Sequence, residues 1–207
     1  SGTKVLVTVD APELYKTAAS VLEASELETL IVGKISAMLP WIKGVAMKLF
    51  KRSDIADVQW SPAIKDWAAL QGEWSQGAPF PVALDAHEDL ALLQYTGGTT
   101  GRPKGAMLGH SQLSINAQQV AAINPWENPR QEVFMGALPF FHVFANTALL
   151  NHAVASGGSI AMVPRFETRQ VLKTIEKYKA TGFPGVPTMF QAMLDHPDLA
   201  KTDLSSL

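Results

Sequence analysis

Residues 95–105 read Tyr-Thr-Gly-Gly-Thr-Thr-Gly-Arg-Pro-Lys-Gly, which places three threonines, four glycines and one lysine in a single run. Each of these types suits a phosphate. Glycine lets the backbone take positive φ and bring its N–H groups close to a ligand, threonine hydroxyls are short donors, and lysine adds a positive charge. The chemistry such a run offers is a polyphosphate cradle. Its candidate residues are Tyr95, Thr96, Gly97, Gly98, Thr99, Thr100, Gly101, Lys104 and Gly105. Composition alone also allows the plainer alternative of a flexible Gly/Thr loop. The run is not a Walker P-loop, which needs lysine directly after glycine. Here Arg102 and Pro103 stand between Gly101 and Lys104, and the proline stiffens the end of the loop where the lysine is aimed. A P-loop ATPase is therefore disfavoured.

The flanks favour the cradle over the loop. Residues 90–95 are apolar enough for a short buried strand, and an amphipathic helix is predicted from Ser111 to about Ala122. A strand that delivers a glycine-rich loop is how α/β folds present phosphate sites.

Extended through Ala106-Met107-Leu108-Gly109-His110, the run resembles the phosphate-loop signature of the AMP-forming acyl-CoA synthetases, a branch of the adenylate-forming enzymes. With Gly97 where many members carry serine, it is most similar to the long-chain fatty acid CoA ligases. Leu138-Pro139-Phe140-Phe141-His142-Val143-Phe144 is similar to a family segment that lines the carboxylate and acyl end of the site. Residues 181–189, Thr-Gly-Phe-Pro-Gly-Val-Pro-Thr-Met, resemble the strand-to-helix turn that walls the acyl pocket. Without the resemblance, His142 would read as a hydrogen-bonded histidine on a buried aromatic helix, and the later turn as structural.

The resemblance implies activation of a fatty acid with ATP to acyl-AMP and transfer of the acyl group to coenzyme A, with Mg2+ accompanying ATP. It implies Lys104 and His142 as catalytic residues, and Phe141, His142, Val143, Phe144 and Gly185 as the acyl pocket, with no metal ligand within this chain. The family's downstream Tyr-Gly-x-Thr-Glu and Thr-Gly-Asp segments, its hinge and its C-terminal domain with a catalytic lysine do not occur here. Residues 1–207 thus resemble part of the large N-terminal domain: a first αβ portion over 1–89 and a phosphate-loop and acyl-pocket portion over 90–207. Such a piece is expected to be inactive alone, and core exposed where further strands belong would favour a homodimer or aggregation. The competing readings are another carboxylic-acid adenylating enzyme, or a non-catalytic nucleotide-binding or membrane-docking module.

Composition agrees with a folded α/β chain. Of 207 residues, 47% are apolar and 17% charged, which supports a substantial core, and a net charge of −2 gives no reason to propose nucleic acid. The absence of cysteine excludes disulfides and thiolate-bound zinc, and fits a reducing cytosol. The histidines at 87, 110, 142, 152 and 196 show no metal-ligand spacing. No signal peptide is evident, and the lack of an initiator methionine suggests a piece of a longer chain.

The elements that must carry these motifs alternate. Strands are predicted over 5–9, 29–32, 133–138 and 159–163, and helices over 12–24, from Ser61-Pro62 to about 70, over 141–156, over 167–178 and near 188–194. This is an α/β order with a mainly parallel sheet covered by helices. Residues 133–164 carry no Asp, Glu, Lys or Arg, but Asn146, Asn151, His152 and the Gly157-Gly158 pair argue against one membrane-spanning helix. In 30–52, Ile35, Met38, Leu39, Ile42, Val45, Leu49 and Phe50 fall near one helical face, with basic residues only and a break at Pro40. The segment reads first as a surface helix pair docked on the core. Its second reading is peripheral association with the inner, cytoplasmic face of a membrane.

Overall fold

The β-branched run Val5–Val9 forms β1, and Pro12, whose fixed φ suits a first helical turn, opens α1 over Pro12–Ala24. The chain returns as β2, Thr29–Gly33, parallel to β1 with Val7 opposite Ile31. The computed structural model describes residues 2–75, 77, 81–96, 103–123 and 131–207, in two compact units over 1–81 and 82–207.

The first unit completes its sheet with β3, Ile64–Asp66, again parallel to β2. This differs from the helix expected to start at Ser61-Pro62. The Ser61 hydroxyl accepts from Ile64 N–H at 3.2 Å and closes a turn, and the helix-capping role falls to Asp66. Asp66 Oδ1 accepts from Ala68 N–H at 2.8 Å and Ala69 N–H at 3.3 Å at the head of α4, Trp67–Trp74. Leu30 and Val32 of β2 are fully buried beside Tyr15 and Ala18 of α1.

Lys34 pairs with the second oxygen of Asp66 and lies over the Trp60 ring. That ammonium, helped by the two amides of α4, holds the Asp66 carboxyl below its usual range. Asp66→Ala is expected to cost about 1 kcal/mol of stability, the usual loss for a cap. Because the folded-state value is lowered, the Asp66 contribution is fully present above about pH 4 and fades as pH falls further. A urea titration repeated at neutral and acidic pH checks both points.

Between β2 and β3 run two helices, α2 over Ile35–Met38 and α3 over Trp41–Phe50, separated at Pro40. They pack closely because Gly44 has no side chain: a Cβ there would stand 2.2 Å from the Ser36 carbonyl oxygen. Ser36 and Gly44 are the buried residues of the pair. The apolar side chains that were expected to dock on the core, Met38, Leu39, Ile42, Val45, Leu49 and Phe50, are instead exposed. The expected helix pair is present, and Ile35, the seventh residue of that face, is half-buried.

The second unit begins with a hairpin, β4 over Leu90–Thr96 and β5 over Lys104–Gly109, antiparallel, followed directly by α5, His110–Ile123. β5 was not anticipated, and it makes this sheet an exception to the parallel pattern. Parallel pairing resumes with β6, Val133–Gly136, and β7, Ser159–Met162. Residues 181–182 extend this sheet on the other side of β6, where Met135 N–H donates to the Gly182 carbonyl at 2.8 Å.

The connection from β6 to β7 is helical from Val143 rather than from 141, through α6 (Val143–Ala145), a π-helical stretch (Asn146–Asn151) and α7 (His152–Ser156). Asn151 Nδ2 donates to Asn146 Oδ1 at 3.2 Å, a five-residue reach that the wider winding brings into line. Gly157 ends the helix at φ +72°, where a side chain would be strained. In α8, Thr168–Tyr178, capped by the Glu167 carboxylate, Val171, Leu172 and Ile175 are fully buried while Tyr178 is half exposed. They meet Met135, Val163 and Met193, the last on α9, Pro187–Leu194. Among the described residues no helix is long and apolar enough to cross a membrane.

Candidate functional site

The hairpin fixes both ends of the phosphate-type loop. Thr96 pairs with Lys104 and Tyr95 with Gly105, so the run is held by strand pairing immediately before and shortly after its glycines. Side chains alternate along a strand and directly paired residues share a face. Gln94, Thr96 and Lys104 therefore lie on one face of the hairpin, and Tyr95 and Gly105 on the other. A Cβ on Gly105 would stand 3.4 Å from the Tyr95 ring, an ordinary contact distance, so the ring lies against the neighbouring strand and a small side chain would fit beneath it. Gly97, Gly98, Thr99, Thr100 and Gly101 lie outside the described residues.

Gln94 makes the connection that sequence reasoning missed. Its Nε2 donates to the Phe141 carbonyl at 3.0 Å, tying the face that carries Thr96 and Lys104 to the Pro-Phe-Phe-His segment. The link spans 47 positions, so no local pattern announces it.

His142 does not sit on a buried aromatic helix. It is exposed and caps α6: its Nδ1 accepts from Phe144 N–H at 3.2 Å and its carbonyl accepts from Asn146 N–H at 3.0 Å. An accepting Nδ1 puts the proton of the neutral ring on Nε2, so the exposed nitrogen is a donor. A donor fixed in this way is suited to a carboxylate or another anionic oxygen.

Two cavities flank this segment. One, of about 670 Å³, lies where β6 and β7 end and is lined by residues 137–141, residues 162–166 and Met189. Open parallel sheets bind ligands beyond the carboxyl ends of their strands, and this cavity occupies that place. Its lining is apolar apart from Arg165, a residue that the sequence shows only as the first charge after a long uncharged stretch. The second, of about 440 Å³, brings Phe144 together with residues 181–184, Phe134, Val120 and Ala148. The expected pocket residues are thus divided: Phe141 borders the first cavity and Phe144 the second, Val143 borders neither, and all three are exposed, Phe141 most of all. Gly185 lines neither cavity; a Cβ there would come within 2.8 Å of the Phe190 ring.

A family model described as AMP-binding enzyme matches residues 3–207. The chain belongs to the AMP-binding enzyme family. Among the AMP-binding enzymes, a long-chain-fatty-acid–CoA ligase of Bacillus subtilis is 33% identical over 205 residues, covering 98% of this chain and 36% of that protein. 4-Coumarate–CoA ligase 4 of Arabidopsis thaliana is 38% identical over 122 residues, covering 58% of this chain and 21% of that protein. The crystal structure of a long-chain-fatty-acid–CoA ligase from Archaeoglobus fulgidus superposes with a TM-score of 0.62 at 26% identity, over 100% of this chain and 45% of that one. The chain spans little more than a third of the length of the long-chain relatives it matches, 36–37%. The mixed fold of helices and parallel strands is that of the AMP-binding enzymes.

Proposed function

We propose that this chain is the phosphate-loop and acyl-pocket portion of a long-chain fatty acid CoA ligase. The observation that carries the reading is one face of a hairpin, bearing Thr96 and Lys104, tied through Gln94 to the His142 segment beside an apolar cavity at the strand ends. The long-chain relative aligns with 98% of the chain and the coumarate relative with 58%, which favours a fatty acid over an aromatic one.

In the proposed reaction the fatty carboxylate attacks the α-phosphate of MgATP, giving acyl-AMP and pyrophosphate. The thiol of coenzyme A then attacks the acyl carbonyl, and AMP leaves as the thioester forms. Lys104 offsets charge developing on the departing pyrophosphate, and Thr96, with the glycine-rich run after it, supplies further donors. His142 Nε2–H orients the carboxylate, with Phe141 and Phe144 as apolar neighbours. The partners are the fatty acid, MgATP and coenzyme A, and the setting is the cytoplasm.

The test is carboxylate-dependent exchange of pyrophosphate into ATP by the full-length protein, across acids from acetate to oleate. Exchange that peaks with long acids supports the reading, and exchange restricted to aromatic acids replaces it with the second class. Gln94→Leu, which unties the hairpin from Phe141, is expected to lower exchange about tenfold, since misplacing reacting groups by an ångström costs on the order of a hundredfold. Unchanged exchange in that variant would show the link to be structural only.

A further inference from the structure

We infer that α3 is an interfacial helix that docks the protein on an anionic lipid surface, an inference that goes beyond the ligase reading and does not depend on it. Taking about 100° per residue, Ile42, Val45 and Leu49 fall within about 60° of one another on the side opposite Gly44 and Met47. The inward side is fixed by the contact of Gly44 with the Ser36 carbonyl, so the apolar stripe points away from the unit to which the helix belongs. Trp41 and Phe50 flank the stripe and are 78% and 84% exposed. Single exposed apolar side chains are ordinary on a protein surface, but five on one face of a ten-residue helix form a contiguous patch that needs an occupant.

Charge identifies the occupant. Lys43 and Lys48 lie at the two borders of the stripe, and Lys51 and Arg52 follow at its end. No Asp or Glu occurs from residue 29 to residue 53. Among the described residues no carboxylate pairs with any of these four cations, whereas Lys34, just ahead of α2, is paired with Asp66. An apolar stripe with an amphipathic aromatic at its edge and a border of unpaired lysines matches the boundary between anionic headgroups and acyl chains. A protein partner with an acidic rim, or a second copy of a chain whose same face is equally basic, matches it less well. In a self-contact the lysine borders would oppose one another.

The test is co-sedimentation of the full-length protein with phosphatidylcholine vesicles, with and without phosphatidylglycerol. Binding is expected to require the anionic lipid and to weaken with added salt. Lys43→Ser with Lys48→Ser is expected to reduce partitioning about thirtyfold, at roughly one basic residue's attraction per lysine. Trp41→Ser with Leu49→Ser is expected to reduce it by at least about tenfold. All four positions are exposed, and unchanged far-UV circular dichroism and urea unfolding verify that the variants fold. Partitioning that ignores anionic lipid, or that both double variants retain, overturns the proposal. So does a protein that ignores vesicles but forms a dimer broken by Trp41→Ser with Leu49→Ser, which would make the face an interface between copies.

Discussion

Lys104→Ala in the full-length protein is expected to slow acid-dependent pyrophosphate exchange about a hundred- to a thousandfold, the usual penalty for losing one donor that meets charge developing in a transition state. The hairpin explains why the effect should be on rate. Lys104 is held by strand pairing opposite Thr96, so its backbone is positioned before substrate arrives, and alanine at a strand end leaves that pairing intact. The expected signature is a lowered kcat, with unfolding by urea little changed. A variant that retains full exchange would remove Lys104 from the proposed site, and the phosphate assignment would then rest on the threonines and glycines alone.

Phe134→Ala is expected to lower the unfolding free energy by about 3–5 kcal/mol, the range for a buried aromatic truncated in a packed core. Phe134 is 1% exposed on β6, packs on Leu149 and Ala153, and meets the His152 ring edge-on at a centroid distance of 5.4 Å. The helices on that side hold the neighbouring segments away from easy collapse, so the removed ring leaves a void. Because Phe134 also lines the cavity shared by Phe144 and residues 181–184, the void opens into the proposed acyl wall. Urea denaturation monitored by near-UV circular dichroism reads the loss. A change below about 1 kcal/mol would mean that the site collapses freely and that this cluster does not hold the second unit together.

Elements built from local signals were legible in the sequence. The β-branched run at Val5, the proline at the head of α1 and the apolar spacing of Val171, Leu172 and Ile175 each found their element. What escaped depends on partners distant in the chain. Residues 104–109, with two glycines and no alternation, are a strand because β4 pairs with them, and Ile64–Asp66 is one because β2 lies beside it. Ser61-Pro62 has the look of a helix start, but the Ser61 hydroxyl is used to close a turn. At the proposed site, residue types singled out the glycine- and threonine-rich run and His142 as candidates. Gln94 and Arg165 carry no distinguishing local pattern and gain their meaning from what the fold sets beside them. The apolar stripe of 30–52 was visible as periodicity, but which way it faced was decided by the close approach at Gly44.

The π-helical turn between α6 and α7 lets the segment that carries His142 absorb a change of length without changing direction. The stretch Asn146–Asn151 accommodates one residue more per turn than the regular winding on either side. Deleting one residue there would let an ordinary α-helix re-form with little net rotation of what precedes it, whereas deleting one residue from a regular helical turn rotates everything before it by about 100°. The His142 cap would keep its direction, because the wider winding had already absorbed the extra residue. A one-codon deletion within 146–151 is therefore expected to be tolerated where the same deletion within α8 is not.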